Sequence, residues 1–296
     1  MNNYFRPRRS MLYVPGCNPR YLDKARTLPA DSVILDLGDA ILISAKESSR
    51  QNVVEAVKQG GYGGREVIIR VNDLKSPWGP DDIKAVAKIG ADAILFSNIN
   101  SRADVLAALD ALDMAGGQDL PVMVMISSPL AVLHAEEIAG ASDRIACMIM
   151  ATSELVSDLH AHITRERIPL LASLSMVILA GRAYNRAVVD GTNSHFKDIE
   201  SFEYACRLAR DMGFDGKPMV HPLQLTYAND AFTPKPSEVK MSREIISALA
   251  AANAEGSGIV VVSDRLVEHH HIAEAKRLLN LSEMIVKLEQ EYAKAN

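Results

Sequence analysis

Two carboxylates three residues apart, Asp36 and Asp39, close an apolar run that reads SVILDLGDAI over residues 32–41. Val33, Ile34, Leu35 and Leu37 surround Asp36; the run is too short for a helix and too apolar for a surface strand. That pattern predicts a buried parallel strand. A carboxylate at the end of such a strand is costly to bury unless it is paired or put to chemical use. Capping of the next helix is the alternative for both acids. Other constellations carry less. His269, His270 and His271 are consecutive, and adjacent side chains on a helix diverge by about 100°, so the triple faces solvent or a subunit contact rather than one ion. His160 and His162 follow Asp158 on a surface segment. A Schiff-base aldolase needs a lysine inside a barrel strand; Lys217 is expected to precede the eighth strand, and that class is set aside.

Short β-branched runs must position these groups. Eight of them, at 10–14, 32–37, 66–72, 93–97, 121–127, 147–152, 187–191 and 218–221, alternate with amphipathic segments at 81–89, 102–115, 129–139, 170–184 and 202–212. Eight strand–helix repeats in about 220 residues is the count of a (β/α)8 TIM barrel, whose chemistry sits at the strand C-termini. A doubly wound sheet is the alternative, but no glycine fingerprint for a dinucleotide follows the first run. After FTPKP at 232–236 the pattern changes: a helix at 242–254, a turn at 256–258, a strand at 259–262 and a long helix at 272–293. The expectation is therefore a barrel domain over 1–232 and a C-terminal appendage over 233–296, too small to fold alone and packed on the barrel or on a neighbouring subunit. Hydrophobic residues make up 48% and charged residues 23%, with a net charge of −5. This describes a globular chain without the basic tract that nucleic acid or an anionic membrane requires. No window resembles a transmembrane span or a signal peptide. Cys17, Cys147 and Cys206 are few, odd in number and without metal spacing, which points to a reducing cytoplasm.

Several strand ends form a recognisable series: SMLYVPG (10–16) with Pro19 and Arg20, then DLGDAI, then RVN (70–72) with PWG (77–79), VHPLQ (220–224) and FTP (232–234). In this order and spacing the chain resembles the citrate lyase β-subunit-like family, relatives of malyl-CoA and citramalyl-CoA lyases. The resemblance runs from about Arg9 to the C-terminal helix. It implies a (β/α)8 barrel that uses Mg²⁺ to cleave or form a carbon–carbon bond beside an acyl-CoA thioester. It places Arg70 as the oxyanion-binding arginine, with a salt bridge to Asp36 or Asp39 compatible with that role. Pro15, Gly16 and Arg20 fall on the loop that approaches the CoA phosphates, and His221, Pro222 and Gln224 on the segment lining the CoA entrance. Lys46 and Arg50 match basic residues that balance the second-strand carboxylates. Glu268 matches an acid that reaches a neighbour's active site in trimers or hexamers.

The chain also departs from that pattern. The second-strand motif Asp-Leu-Glu-Asp has Gly38 in place of its third residue. Ile-Glu-Thr-Pro at the fifth strand becomes ISSP, so Ser127 stands where a glutamate ligand to Mg²⁺ is usual. Gly-Thr-x-Asp-Leu becomes ATSEL, which leaves Glu154 as the implied metal ligand; Pro-Lys-x-Glu at the fourth strand becomes SNIN, 97–100. Mg²⁺ prefers octahedral oxygen ligands with one or two carboxylates. Glu154 with Asp39 and substrate makes a weaker site, whereas Ser127 and Asn98 make a neutral pocket that needs no metal. The functional expectation is a carbon–carbon lyase acting on a short 3-hydroxyacyl-CoA or a related hydroxy acid. Its alternative is a repurposed barrel that binds an acyl-CoA or small acid without turnover.

Overall fold

Eight strands recur along the chain: β1 (Ser10–Pro15), β2 (Ser32–Asp36), β3 (Glu66–Arg70), β4 (Ala93–Phe96), β5 (Val122–Ile126), β6 (Ile145–Met150), β7 (Ala187–Val189) and β8 (Lys217–Met219). The computed structural model describes residues 5–193, 195–254, 260–263 and 265–294. The strands form one parallel sheet in the order β7-β6-β5-β4-β3-β2-β1-β8. A parallel bridge between Val189 and Gly216, with Asp190 N donating to Gly216 O at 3.0 Å, brings β7 back to β8. This is the (β/α)8 barrel that the strand count predicts.

Alternation sorts the strand residues into two cores. Met11, Ile34, Ile68, Leu95, Met123, Met125, Cys147, Ile149 and Val189 pack together inside the barrel. Leu12, Val33, Leu35, Ile69, Ile94, Val124, Met148 and Val188 pack against the helices outside it. At the N-terminal ends, buried pairs Arg8–Glu66 and Arg9–Asp31 tie β1, β2 and β3 together at 2.6 and 2.9 Å. Charged groups there serve the fold.

Three details differ from the sequence expectations. The third strand ends at Arg70 rather than at residue 72, because Asn72 N donates to the Asp82 carboxylate (3.0 Å) and leaves the ladder. The segment 129–139 is two helices, Pro129–Leu133 and Ala135–Ala139, broken at His134, whose Nδ1 meets Asn100 O at 2.9 Å. Lys217 opens β8, pairing with Ser10, instead of preceding it. It shares the outward parity of Met219, and its Nζ donates to Asp190 Oδ2 (2.6 Å) and Gly191 O (2.7 Å). It therefore offers no amine to the barrel interior.

The chain divides into two compact units, Met1–Phe232 with Tyr292–Asn296, and Thr233–Glu291. Within the first, buried Tyr292 donates its hydroxyl to Ala30 O (2.6 Å) under the Arg65 guanidinium. The second contains the helix Pro236–Ala254, an antiparallel hairpin of Val260–Val262 with Arg265–Val267, and most of the helix His269–Lys294. The expected turn at 256–258 and the start of the strand at residue 259 lie outside the described residues. The histidine triple opens the last helix, exposed, with the His270 and His271 rings 3.9 Å apart.

Candidate active site

The register of β2 against β3 sets Asp36 beside Arg70 at the C-terminal end of both strands. Arg70 Nη1 lies 3.5 Å from Asp36 Oδ2, and Nη2 donates to Asp39. Asp36 Oδ1 accepts the Gly38 N–H at 2.7 Å. The two acids differ in setting: Asp36 is buried, whereas the Asp39 side chain is 87% exposed. Burial pushes the Asp36 carboxyl above its ordinary range and outweighs the nearby guanidinium. Burial opposes the charge on Arg70 as well, but the Asp36 and Asp39 carboxylates outweigh it and the net shift of its pKa is upward. Its Nε is buried and has no hydrogen-bond partner among the described residues. One arginine is thus held by two carboxylates with a donor to spare. Neither acid caps the helix Lys46–Gln59, whose N-cap is Ala45.

Tyr13 belongs to this group, and the sequence reading passed over it. Its half-buried ring packs on the inner core, with the hydroxyl 4.0 Å from Met125 Sδ. Burial raises its pKa; Arg70 opposes that shift, while Asp36, Glu154 and Asp39 add to it. Tyr13 hence stays a neutral donor among these charges. The missed signal was alternation: with Met11 inward, Tyr13 is inward too.

Behind the turn, Lys46 is buried and donates to Leu37 O (2.9 Å), Gly38 O (2.7 Å) and Asn72 Oδ1 (2.6 Å). Burial lowers its pKa against the pull of Asp39 and Asp36. Asn72 in turn donates to Asp82, which also accepts from Arg50 Nε at 2.7 Å. Lys46, expected to balance the second-strand carboxylates, braces the backbone that carries Asp36, Gly38 and Asp39.

β8 and β1 are neighbours in the sheet, so the loops after them lie side by side. Gly16 N donates to Asp36 O at 2.9 Å, and a β-carbon there would meet Val53 Cγ2 at 2.8 Å and Asp36 O at 3.0 Å. Only glycine lets this loop close on β2. Pro15 ends β1, and Arg20 is exposed on the helix Pro19–Ala25. His221 accepts from Leu223 N through Nδ1 (3.2 Å) and stacks on Phe196, ring centroids 4.5 Å apart. Exposed Pro222 follows, while buried Gln224 accepts from His221 N and donates to Asn193 O, fixing the loop.

Ser127 is half-buried one residue beyond β5, and Glu154 is exposed in the first turn of the helix Thr152–Asp158 after β6. Asn98 donates to Asp73 at 2.8 Å, and Asn100 accepts from Ser128. Glu268 is exposed and lies in the Thr233–Glu291 unit; its backbone N–H donates to His271 Nδ1 at 3.0 Å.

Residues 9–222 match the family model for HpcH/HpaI aldolase/citrate lyase. The chain belongs to that family. A (3S)-malyl-CoA thioesterase of Cereibacter sphaeroides is 38% identical over 279 residues, covering 94% of this chain and 96% of the relative. The citrate lyase subunit beta of Leuconostoc mesenteroides subsp. cremoris is 32% identical over 289 residues, 95% of each chain. Among solved structures, CitE of Mycobacterium tuberculosis in complex with magnesium, acetoacetate and coenzyme A superposes with a TM-score of 0.73 at 21% identity, covering 94% of this chain and 98% of that one. RipC of Yersinia pestis gives 0.66 at 26% identity, covering 80% and 99%. These likenesses confirm the family expected from the strand-end motifs.

Magnesium is present in CitE, a protein of the same fold. No grouping of three His, Cys, Asp or Glu side chains suited to a metal occurs among the described residues. Asp36 is engaged by Arg70 and Gly38, Asp39 by Arg70, and the β5 end presents the hydroxyl of Ser127. Of the carboxylates at the strand ends Glu154 alone is left over, which does not make the two-carboxylate site that the resemblance implies.

Proposed function

We propose that this chain acts on the CoA thioester of a short hydroxy-dicarboxylic acid of the malyl class and hydrolyses it. The observation carrying this reading is the buried Asp36 carboxylate beside Arg70 at the barrel mouth. The 38% identity to a (3S)-malyl-CoA thioesterase over nearly the whole chain supports it. Arg70 stabilises the oxygen of the thioester carbonyl as it gains negative charge. Asp36, a stronger base than a free aspartate because it is buried, takes a proton from the attacking water. The hydroxide adds to the carbonyl carbon, the carbon–sulfur bond breaks, and the CoA sulfur leaves and is protonated. Tyr13 supplies a neutral hydroxyl donor beside the same carbonyl. The loops carrying Pro15, Gly16, Arg20, His221 and Pro222 form the CoA side of the mouth, with Gln224 holding its shape.

The second reading, carbon–carbon cleavage, is favoured by the 32% identity to a citrate lyase subunit beta. It starts from the same polarised carbonyl but breaks the bond between the thioester α-carbon and the hydroxyl-bearing carbon. Incubation with (3S)-malyl-CoA separates the two. Hydrolysis releases malate and a free CoA thiol; cleavage releases glyoxylate and acetyl-CoA with no free thiol. Free thiol without glyoxylate is the expected result. Glyoxylate in step with acetyl-CoA replaces hydrolysis by the lyase, and neither product alongside CoA binding indicates the non-catalytic barrel.

A further inference from the structure

Arg70 stands on β3, but the space that its guanidinium fills is provided by β2. A β-carbon built on Gly38 would lie 2.9 Å from Arg70 Cζ, 3.0 Å from Nε and 3.0 Å from Asp36 Oδ1. These three atoms belong to the Asp36–Arg70 pair. The backbone conformation does not call for glycine, since Gly38 is absent from the glycines with positive φ. Nor can its Cα retreat. Its N–H donates to Asp36 Oδ1 (2.7 Å), and its carbonyl accepts from Lys46 Nζ (2.7 Å) and Ile41 N (3.0 Å). In this chain the space that a side chain at residue 38 would enter is taken by the Asp36–Arg70 pair, and no dihedral demands glycine.

We propose that Gly38 is a positioning residue: its missing side chain is the room in which the Arg70 guanidinium lies against Asp36. Ordinary carbon contacts begin near 3.5 Å, so a methyl group here displaces the guanidinium by about 0.5 Å or more. The atoms that must yield are the ends of two side chains, and the fold itself is spared. An oxyanion donor moved on this scale is far less effective, since a misplacement of about 1 Å costs on the order of 100-fold in rate.

The inference rests on Arg70 serving as the oxyanion group, and its test separates the two ideas. The crystal structure of Gly38→Ala is compared with wild type. Turnover of (3S)-malyl-CoA is measured for Gly38→Ala, Arg70→Ala and the double variant, with thermal melting for each. Gly38→Ala is expected to fold, to show Arg70 Cζ shifted by about 0.5 Å or more, and to lose roughly 10- to 100-fold in kcat with little change in KM. In the Arg70→Ala background the same substitution is expected to change kcat by less than about twofold, because nothing remains to be displaced. An unmoved guanidinium, a variant that does not fold, or an equal loss in both backgrounds overturns the proposal. If wild type turns over no malyl-CoA, the proposed activity fails and the crystal structure alone decides whether Gly38 positions Arg70.

Discussion

Asp36 and Asp39 lie three residues apart on one turn, yet their surroundings give them different chemistry. Burial lifts the Asp36 carboxyl above the ordinary aspartate value of 3.8. If Asp36 accepts the proton from water, it must be ionised, so kcat/KM falls as pH drops through that raised pKa. The acid limb is expected above pH 3.8 and disappears in Asp36→Asn, which also loses about 10²- to 10⁴-fold in rate. A pH profile of both proteins checks this, and an unchanged limb in the variant assigns the proton to another group. Arg70→Ala, by removing one oxyanion donor, is expected to cost about 10²- to 10³-fold in kcat. Asp36 was legible in the sequence because a carboxylate at the end of an apolar strand demands a partner, and Arg70 through the family resemblance of the strand-end motifs. Lys46 was legible only as a charge. That it spends its donors on Leu37 O, Gly38 O and Asn72 depends on how tightly the turn after β2 closes, which no spacing reveals.

Between β7 and β8 the barrel is joined by one bridge rather than a ladder, and buried charges do the rest. Asp190 accepts from Arg167 at 2.6 and 2.8 Å and from Lys217 at 2.6 Å, and all three side chains are buried. Burial alone would raise the Asp190 pKa, but Lys217 and Arg167 outweigh it and the net shift is downward. A depressed carboxylate pKa contributes stability that is present above the ordinary value and lost as pH falls below it. Wild-type stability is therefore expected to drop below about pH 4, and less steeply in Asp190→Ala. At neutral pH that variant leaves two buried cations unpaired and is expected to lose about 3–5 kcal/mol in urea unfolding. An equal acid slope in both proteins removes Asp190 from the account. Most of the strands were readable because they are short apolar runs buried on both faces. The place of Lys217 was not, because proline at 218 and glycine at 216 disguise the start of β8.

At the scale of the molecule, the face that carries the candidate site is fringed with apolar side chains. Leu42 (77% exposed) and Ile43 (74%) follow β2, Ile163 (67%) and Ile168 (65%) follow β6, and Leu223 (57%) follows β8. Scattered surface apolar residues need no explanation, but several around one mouth point to a covering partner or to the ligand itself. No helix among the described residues is long and apolar enough to cross a membrane. The family resemblance implies trimers or hexamers in which Glu268 reaches a neighbour's site, and a second copy of the chain is the expected cover for this face. Sedimentation at micromolar concentration is expected to show a homo-oligomer. Ile43→Glu combined with Leu223→Glu would place charge in the covered ring and is expected to shift the distribution toward monomer. Because those residues stand around the mouth rather than at Asp36 or Arg70, a monomer that keeps full turnover would separate assembly from chemistry. Turnover lost together with assembly, and lost equally in Glu268→Gln of the intact oligomer, is the outcome expected if the neighbouring copy completes the site. A wild-type monomer at that concentration overturns both expectations, and leaves the apolar fringe to the binding of the thioester itself.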